Sequence, residues 1–116
     1  MGIHLIIDGY GCKNLSNLDF IRRFISNLPE EIGMKKISEP KLINHKAEKK
    51  IDRGITGFVI LAESHISIHT FPNRDYISFD IFSCKDFNPR RIIKNIKETF
   101  KIKSMKVKIL KRDFKK

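Results

Sequence analysis

The stretch Ala62-Glu63-Ser64-His65-Ile66-Ser67-Ile68-His69-Thr70-Phe71-Pro72 gathers two histidines, two serines, a threonine and a glutamate within eleven residues. Such groups can serve as nucleophile, base or metal ligand, so each chemistry must be weighed against the spacing. A zinc site would use His65 and His69. On a helix that spacing brings both rings to one face, but along a strand four residues span about 13 Å, too far for one ion. The β-branched alternation of Ile66, Ile68 and Thr70 argues for strand, which discounts zinc. A serine hydrolase would pair Ser64 or Ser67 with His69 and an acid such as Asp80, yet the G-x-S-x-G elbow and an oxyanion-hole motif are absent. The plainest alternative is the polar face of an exposed sheet, and spacing alone leaves it standing.

The elements that must hold this segment can be read from periodicity. Ile3 to Ile7 is a short apolar run ending at Asp8-Gly9-Tyr10-Gly11, a strand followed by a glycine-rich turn. Asn17 can cap a helix whose Leu18, Phe20, Ile21, Phe24, Ile25 and Leu28 recur at helical spacing, with Pro29 and Gly33 closing it. Ile37 to Ile43 is a weaker strand, and Asn44 to Arg53 reads as a polar loop. Ile55 to Ala62 suits a buried strand. Ile66 to Phe71 alternates, with Ile66, Ile68 and Thr70 on one face and Ser67, His69 and Phe71 on the other. Pro72 to Asp75 turns the chain into a further strand, Tyr76 to Phe82. Asn88-Pro89 opens a second helix with Ile92, Ile93, Ile96 and Phe100 as its stripe, and Met105, Val107 and Ile109 mark a half-exposed last strand. The expected fold is α+β, a two-layer sandwich: a largely antiparallel sheet with two helices on one face.

Composition narrows the function classes. A chain of 116 residues is expected to be a single domain, 1–116, and its 41% hydrophobic content is enough for a core. No stretch approaches the about 20 apolar residues of a membrane span, and Met1 is not followed by a charged lead and apolar core of a signal peptide. Cys12 and Cys84 are far apart, and without a secretion signal they are expected as free thiols in the cytoplasm. Two cysteines and four scattered histidines make a poor zinc set, so no metal is expected. The net charge of +11 would suit an anionic partner. The basic residues are nevertheless spread along the whole chain without a nucleic-acid motif. They read as solvated surface, and neither nucleic acid nor membrane is an expected partner. So short a chain buries a modest fraction of its surface, and a second copy would add stability.

The run Glu63-Ser64-His65-Ile66-Ser67-Ile68-His69-Thr70-Phe71-Pro72 closely resembles the self-processing segment of prokaryotic pyruvoyl-dependent S-adenosylmethionine decarboxylase proenzymes. Flanking motifs extend the likeness over most of the chain. Asp8-Gly9-Tyr10-Gly11-Cys12 is similar to the family's N-terminal turn, Gly54-Ile55-Thr56-Gly57 to the approach to the cleavage strand, and Asp80-Ile81-Phe82-Ser83-Cys84 to the segment carrying its catalytic cysteine.

The resemblance implies self-cleavage between Glu63 and Ser64. Ser64 Oγ attacks the Glu63 carbonyl to give an ester, elimination leaves a dehydroalanine, and hydrolysis yields ammonia and a pyruvoyl group derived from Ser64. That ketone is the cofactor: it forms a Schiff base with the substrate amine and drains the electrons released with carbon dioxide, as pyridoxal phosphate does elsewhere. By the same resemblance Ser64, His69 and Cys84 are catalytic. Cys84 is the proton donor, His69 assists processing, and Thr56 stands where family members carry a supporting serine. Ile66, Phe71 and Asn73 are implied in substrate binding.

The substrate implied is S-adenosylmethionine, for polyamine (spermidine) biosynthesis. Two departures keep others in view. The family's Trp-Pro-Glu, whose glutamate holds the substrate ribose, is Phe71-Pro72-Asn73 here, and no aromatic precedes Gly54 in Leu42 to Lys50. A pyruvoyl-dependent arginine or ornithine decarboxylase is the alternative, and an unprocessed binding protein a further one. Ser64 and His69 lie about 16 Å apart along a straight strand and on opposite faces. Eukaryotic relatives look like two such halves fused. A homodimer with shared sites is therefore expected, each joining Ser64 and Cys84 of one chain to Thr56 and His69 of the other.

Overall fold

A computed structural model describes residues 2–113. The chain runs through β1 (Gly2–Tyr10), α1 (Leu18–Glu31), β2 (Lys41–His45), a 3-10 turn (Lys50–Asp52), β3 (Gly54–Leu61), β4 (Ser64–Phe71), a second 3-10 turn (Pro72–Arg74), β5 (Tyr76–Ser83), α2 (Pro89–Thr99) and β6 (Ser104–Arg112). The strands form one six-stranded sheet in the order β2-β3-β4-β5-β1-β6, and every neighbouring pair is antiparallel. The expected α+β two-layer sandwich is what the chain adopts.

Both helices lie on one sheet face because their apolar stripes match its inward row. Ile21, Ile25 and Leu28 of α1 and Ile92 and Ile96 of α2 are buried with Leu5, Ile7, Val59, Ile66, Ile68, Phe79 and Ile81 in one core. Phe24 of α1 packs edge-on against Phe100 at 5.1 Å and, tilted, against Phe79 at 6.1 Å, which ties the two helices to β5. The caps follow the sequence: the side chain of Asn17 accepts from Phe20 N, and that of Asn88 from Arg90 N.

Three boundaries differ from expectation. Pro29 does not close α1 but sits inside it and is buried. So close to the C-terminal end its missing N–H costs little, and packing carries the helix on to Glu31. Termination falls to Gly33, at φ 68°, whose N–H donates to the Glu30 carbonyl while Met34 N–H donates to that of Pro29. The second strand is shifted to Lys41–His45, with almost every residue exposed at the sheet edge, so burial never imprinted a pattern on it. The polar loop expected from Asn44 holds the end of that strand and the turn Lys50–Asp52.

Register in β3 and β4 is enforced locally. A Cβ on Gly54 would lie 1.6 Å from the Thr70 carbonyl oxygen, so only glycine allows the two strands to close at that end. The buried Thr70 hydroxyl accepts from Ile55 N and donates to the Leu15 carbonyl, leaving no unsatisfied polar group there.

Candidate active site

Ala62 and Glu63 form the two-residue turn between β3 and β4. Glu63 N–H donates back to the Leu61 carbonyl, Ala62 N–H donates to the Lys35 carbonyl, and Glu63 adopts φ 66°. A residue with a Cβ in that left-handed region carries about 1–2 kcal/mol of strain. The strain thus lies directly beside the Glu63–Ser64 peptide bond, in an exposed turn held from both sides.

Ser64 is the first residue of β4, opposite Leu61 of β3 and Ser83 of β5. Cys84 follows Ser83, so the register brings Ser64 and Cys84 to the same end of the sheet. Cys84 is a free thiol of intermediate exposure. Ser83 is fully buried and both donates to the Lys85 carbonyl and accepts from Lys85 N–H, which turns the chain just past Cys84.

His69 lies elsewhere. It pairs with Thr56 on β3 and Ser78 on β5, on the sheet face the helices leave open. Thr56 Oγ1 sits 3.0 Å from His69 Nδ1, and the ring is exposed. With Nδ1 engaged, Nε2 is the atom able to exchange a proton with something outside this chain's own strand. The sheet therefore groups Ser64 with Cys84 and Thr56 with His69, and keeps the two groups apart.

Of the implied substrate contacts, Phe71 is half-buried on the open face, two residues beyond His69. Ile66 is fully buried in the core, so any ligand contact it makes is through its backbone. Asn73 is exposed and donates from Nδ2 to the Lys50 carbonyl at 2.7 Å.

Two features of the open face went unnoticed in the sequence. At the Ser64 end, His65 stacks on Phe58 at 5.5 Å, while His4 lies 4.0 Å from an Asp80 oxygen and its buried Nε2 has no hydrogen-bond partner. Burial, then the nearby His4, hold the His65 ring below its ordinary pKa against the pull of Asp80. At the His69 end, a cleft is lined by Tyr10, Asp52, Phe71, Arg74 and Tyr76. The Tyr76 hydroxyl donates to Asp8 at 2.5 Å, and burial together with that bond pushes the phenol up to about 12. Strand alternation would have placed His4, His65 and Asp80 on one face, but the pairing of distant strands β1, β4 and β5 was needed to bring them together.

The geometry agrees with what comparison with known proteins shows. Residues 3–113 match the family model described as S-adenosylmethionine decarboxylase. The chain belongs to the S-adenosylmethionine decarboxylase family. It is 36% identical over 110 residues, 92% of this chain and 90% of the relative, to an S-adenosylmethionine decarboxylase proenzyme of Clostridium botulinum strain Hall. A proenzyme of the same name from Synechococcus sp. strain WH7803 is 35% identical over 87% of this chain and 77% of its own length. Among solved structures, the adenosylmethionine decarboxylase of Aquifex aeolicus VF5 superposes with a TM-score of 0.82 at 26% identity, covering 100% of this chain and 93% of that one. S-adenosylmethionine decarboxylases are pyruvoyl-dependent enzymes, and the names of the two relatives mark them as proenzymes. Among the described residues, no helix is long and apolar enough to cross a membrane.

Proposed function

We propose that this chain is an S-adenosylmethionine decarboxylase proenzyme that cleaves itself between Glu63 and Ser64 and works as a homodimer with shared sites. The single observation that carries the reading is the strained, exposed turn at Glu63 placed directly before Ser64, within a chain of this family. That turn suits formation of a pyruvoyl group from Ser64. The Glu63 carbonyl is presented at the tip of a hairpin, and breaking the following bond releases the left-handed residue from its strain.

Within this reading, Ser64 Oγ adds to the Glu63 carbonyl carbon and the peptide nitrogen leaves, giving an ester. His69 Nε2, its ring oriented by the Thr56 hydroxyl, moves the proton in that exchange. The pyruvoyl group, once formed, supplies an electron sink for loss of carbon dioxide. Cys84, at the same sheet end, returns a proton to the α-carbon. Because Ser64 and His69 lie five residues apart along β4, the proton mover comes from a second copy.

The open face suits that second copy. Phe58 and Ile60 are 41% and 47% exposed there, on the same face as the part-buried Phe71, Tyr76 and Phe82. Exposed apolar side chains on a sheet face uncovered by helices fit an interface. Turning a second sheet through a two-fold axis would set the Ser64 end of each chain over the His69 end of the other. The two free thiols, Cys12 and Cys84, suit a reducing compartment, and the enzyme is assigned to the cytoplasm.

The test is intact mass together with carbon dioxide release. Purified protein should separate into pieces 1–63 and 64–116, the latter blocked at its N-terminus by a hydrazine-reactive carbonyl. Carboxyl-labelled S-adenosylmethionine should release labelled carbon dioxide. Release from labelled arginine or ornithine instead would favour the second substrate class, and one permanently uncut polypeptide would overturn the enzymatic reading.

A further inference from the structure

Ser83 is the last residue of β5, and strand pairing sets it directly opposite Ser64 on β4 and Ile3 on β1. The residue is fully buried, so its hydroxyl needs partners inside the protein. It finds both on one residue. Oγ donates to the Lys85 carbonyl at 2.7 Å and accepts from Lys85 N–H at 2.9 Å. Lys85 lies two positions past the end of β5, so this hydroxyl does for its backbone what a strand ladder would do. A single side chain thereby closes a loop around Cys84, the one residue between the two.

The end of β5 is fixed from its other sides as well. A Cβ on Gly2 would lie 3.0 Å from the Ser83 carbonyl oxygen, so β1 closes tightly on the backbone just before Cys84. On the open face the Phe82 ring lies 5.8 Å from His65 and 6.2 Å from His4, with the Arg112 guanidinium 4.8 Å over it. Cys84 thus leaves a strand end held on both faces. Cleavage would make Ser64 a chain end, tied to β3 and β5 by strand pairing. Ser83 then joins the two reacting positions, its backbone paired with residue 64 and its side chain holding the turn at residue 84.

Taking the decarboxylase reading above as its basis, we infer that Ser83 is a positioning residue whose buried hydroxyl fixes the Cys84 thiol relative to the group derived from Ser64. A proton donor works only within hydrogen-bond reach of the atom it serves, and a misplacement of about 1 Å can cost about 10²-fold in rate. Cys84 stands outside the strand, so its place depends on the turn that follows it. Removing the Ser83 hydroxyl leaves the N–H and C=O of Lys85 without their partner and frees that turn.

The test compares Ser83→Thr with Ser83→Val, which match in shape and differ in the hydroxyl. On processed enzyme, Ser83→Val should lose about tenfold or more in kcat for carbon dioxide release from S-adenosylmethionine, with KM little changed. Ser83→Thr should keep most of the wild-type rate. A second readout needs no pyruvoyl group: iodoacetamide alkylation of the Ser64→Ala precursor, mapped by peptide. There Cys84 should react severalfold faster with Ser83→Val than with Ser83→Thr. Cys12, which is buried and so reports general unfolding, should react equally slowly in both. Equal Cys84 alkylation in the two variants, or a loss carried by KM, overturns the positioning role while the decarboxylase reading survives. Faster alkylation of both thiols assigns the effect to unfolding and overturns it too. A wild type that releases no carbon dioxide from S-adenosylmethionine overturns the decarboxylase reading, and the precursor alkylation still decides whether Ser83 holds Cys84.

Discussion

Ser64 and His69 share strand β4 but point to opposite faces of the sheet, Ser64 aligned with the core-facing Leu61 and Ser83, His69 aligned with Thr56 on the open face. If processing needs both, it needs two chains. Expressed alone, Ser64→Ala should stay uncut and His69→Ala should cut at least tenfold more slowly than wild type. Co-expressed with distinguishable tags, the His69→Ala chain should be cut at near wild-type rate in mixed dimers, because it contributes Ser64 while its partner contributes His69. Mass spectrometry of the two tagged chains reads this directly. A His69→Ala chain cut no faster in the mixture than alone would rule out shared sites.

Cys84 lies at the Ser64 end but outside the turn that holds the scissile bond, so its role separates from cleavage. Cys84→Ala should still yield the two fragments, while carbon dioxide release falls by about 10²–10⁴-fold, the usual contribution of a positioned proton donor. A variant that releases carbon dioxide at the wild-type rate would return Cys84 to a packing role.

The strain at Glu63 is measurable where cleavage is blocked. In a Ser64→Ala background, Glu63→Gly should raise precursor stability by about 1 kcal/mol, since glycine adopts φ 66° freely. For a domain of this size that corresponds to a gain of about 4 °C in Tm. A Tm that stays level or falls would show that the turn is not strained.

His65 makes stability depend on pH. Its folded pKa is lowered, first by burial and then by His4 and Arg112, with Asp80 opposing. The unfolded chain therefore takes up the proton first as pH falls. The stability due to neutral His65 is fully present above the unfolded value of about 6.5 and is lost as pH falls through the folded value. The Tm of the Ser64→Ala precursor should fall between pH 7 and pH 5, and His65→Gln should reduce that fall. An equal fall in both proteins would assign the titration to other groups.

The two-layer architecture was legible because its signals are local. Alternation of Ile66, Ile68 and Thr70, helical spacing in α1 and α2, and the capping residues Asn17 and Asn88 each act within a few positions of themselves. Where such signals were weak, as in exposed β2 and at Pro29, the boundaries moved. Both cases depend on what packs against the segment rather than on its own residues.

The same division holds for the site. By itself, the sequence determined the family resemblance, the segment Glu63-Ser64 to Pro72 and the identity of Ser64, His69 and Cys84 as candidates, because reactive groups and short-range spacing are written in residue types. Only the tertiary structure decided that Ser64 and Cys84 share one end of the sheet, that Glu63 is strained and that Ile66 belongs to the core. These are contacts between residues distant in the chain, set by antiparallel register and by the closing of β3 on β4, and no local pattern encodes them.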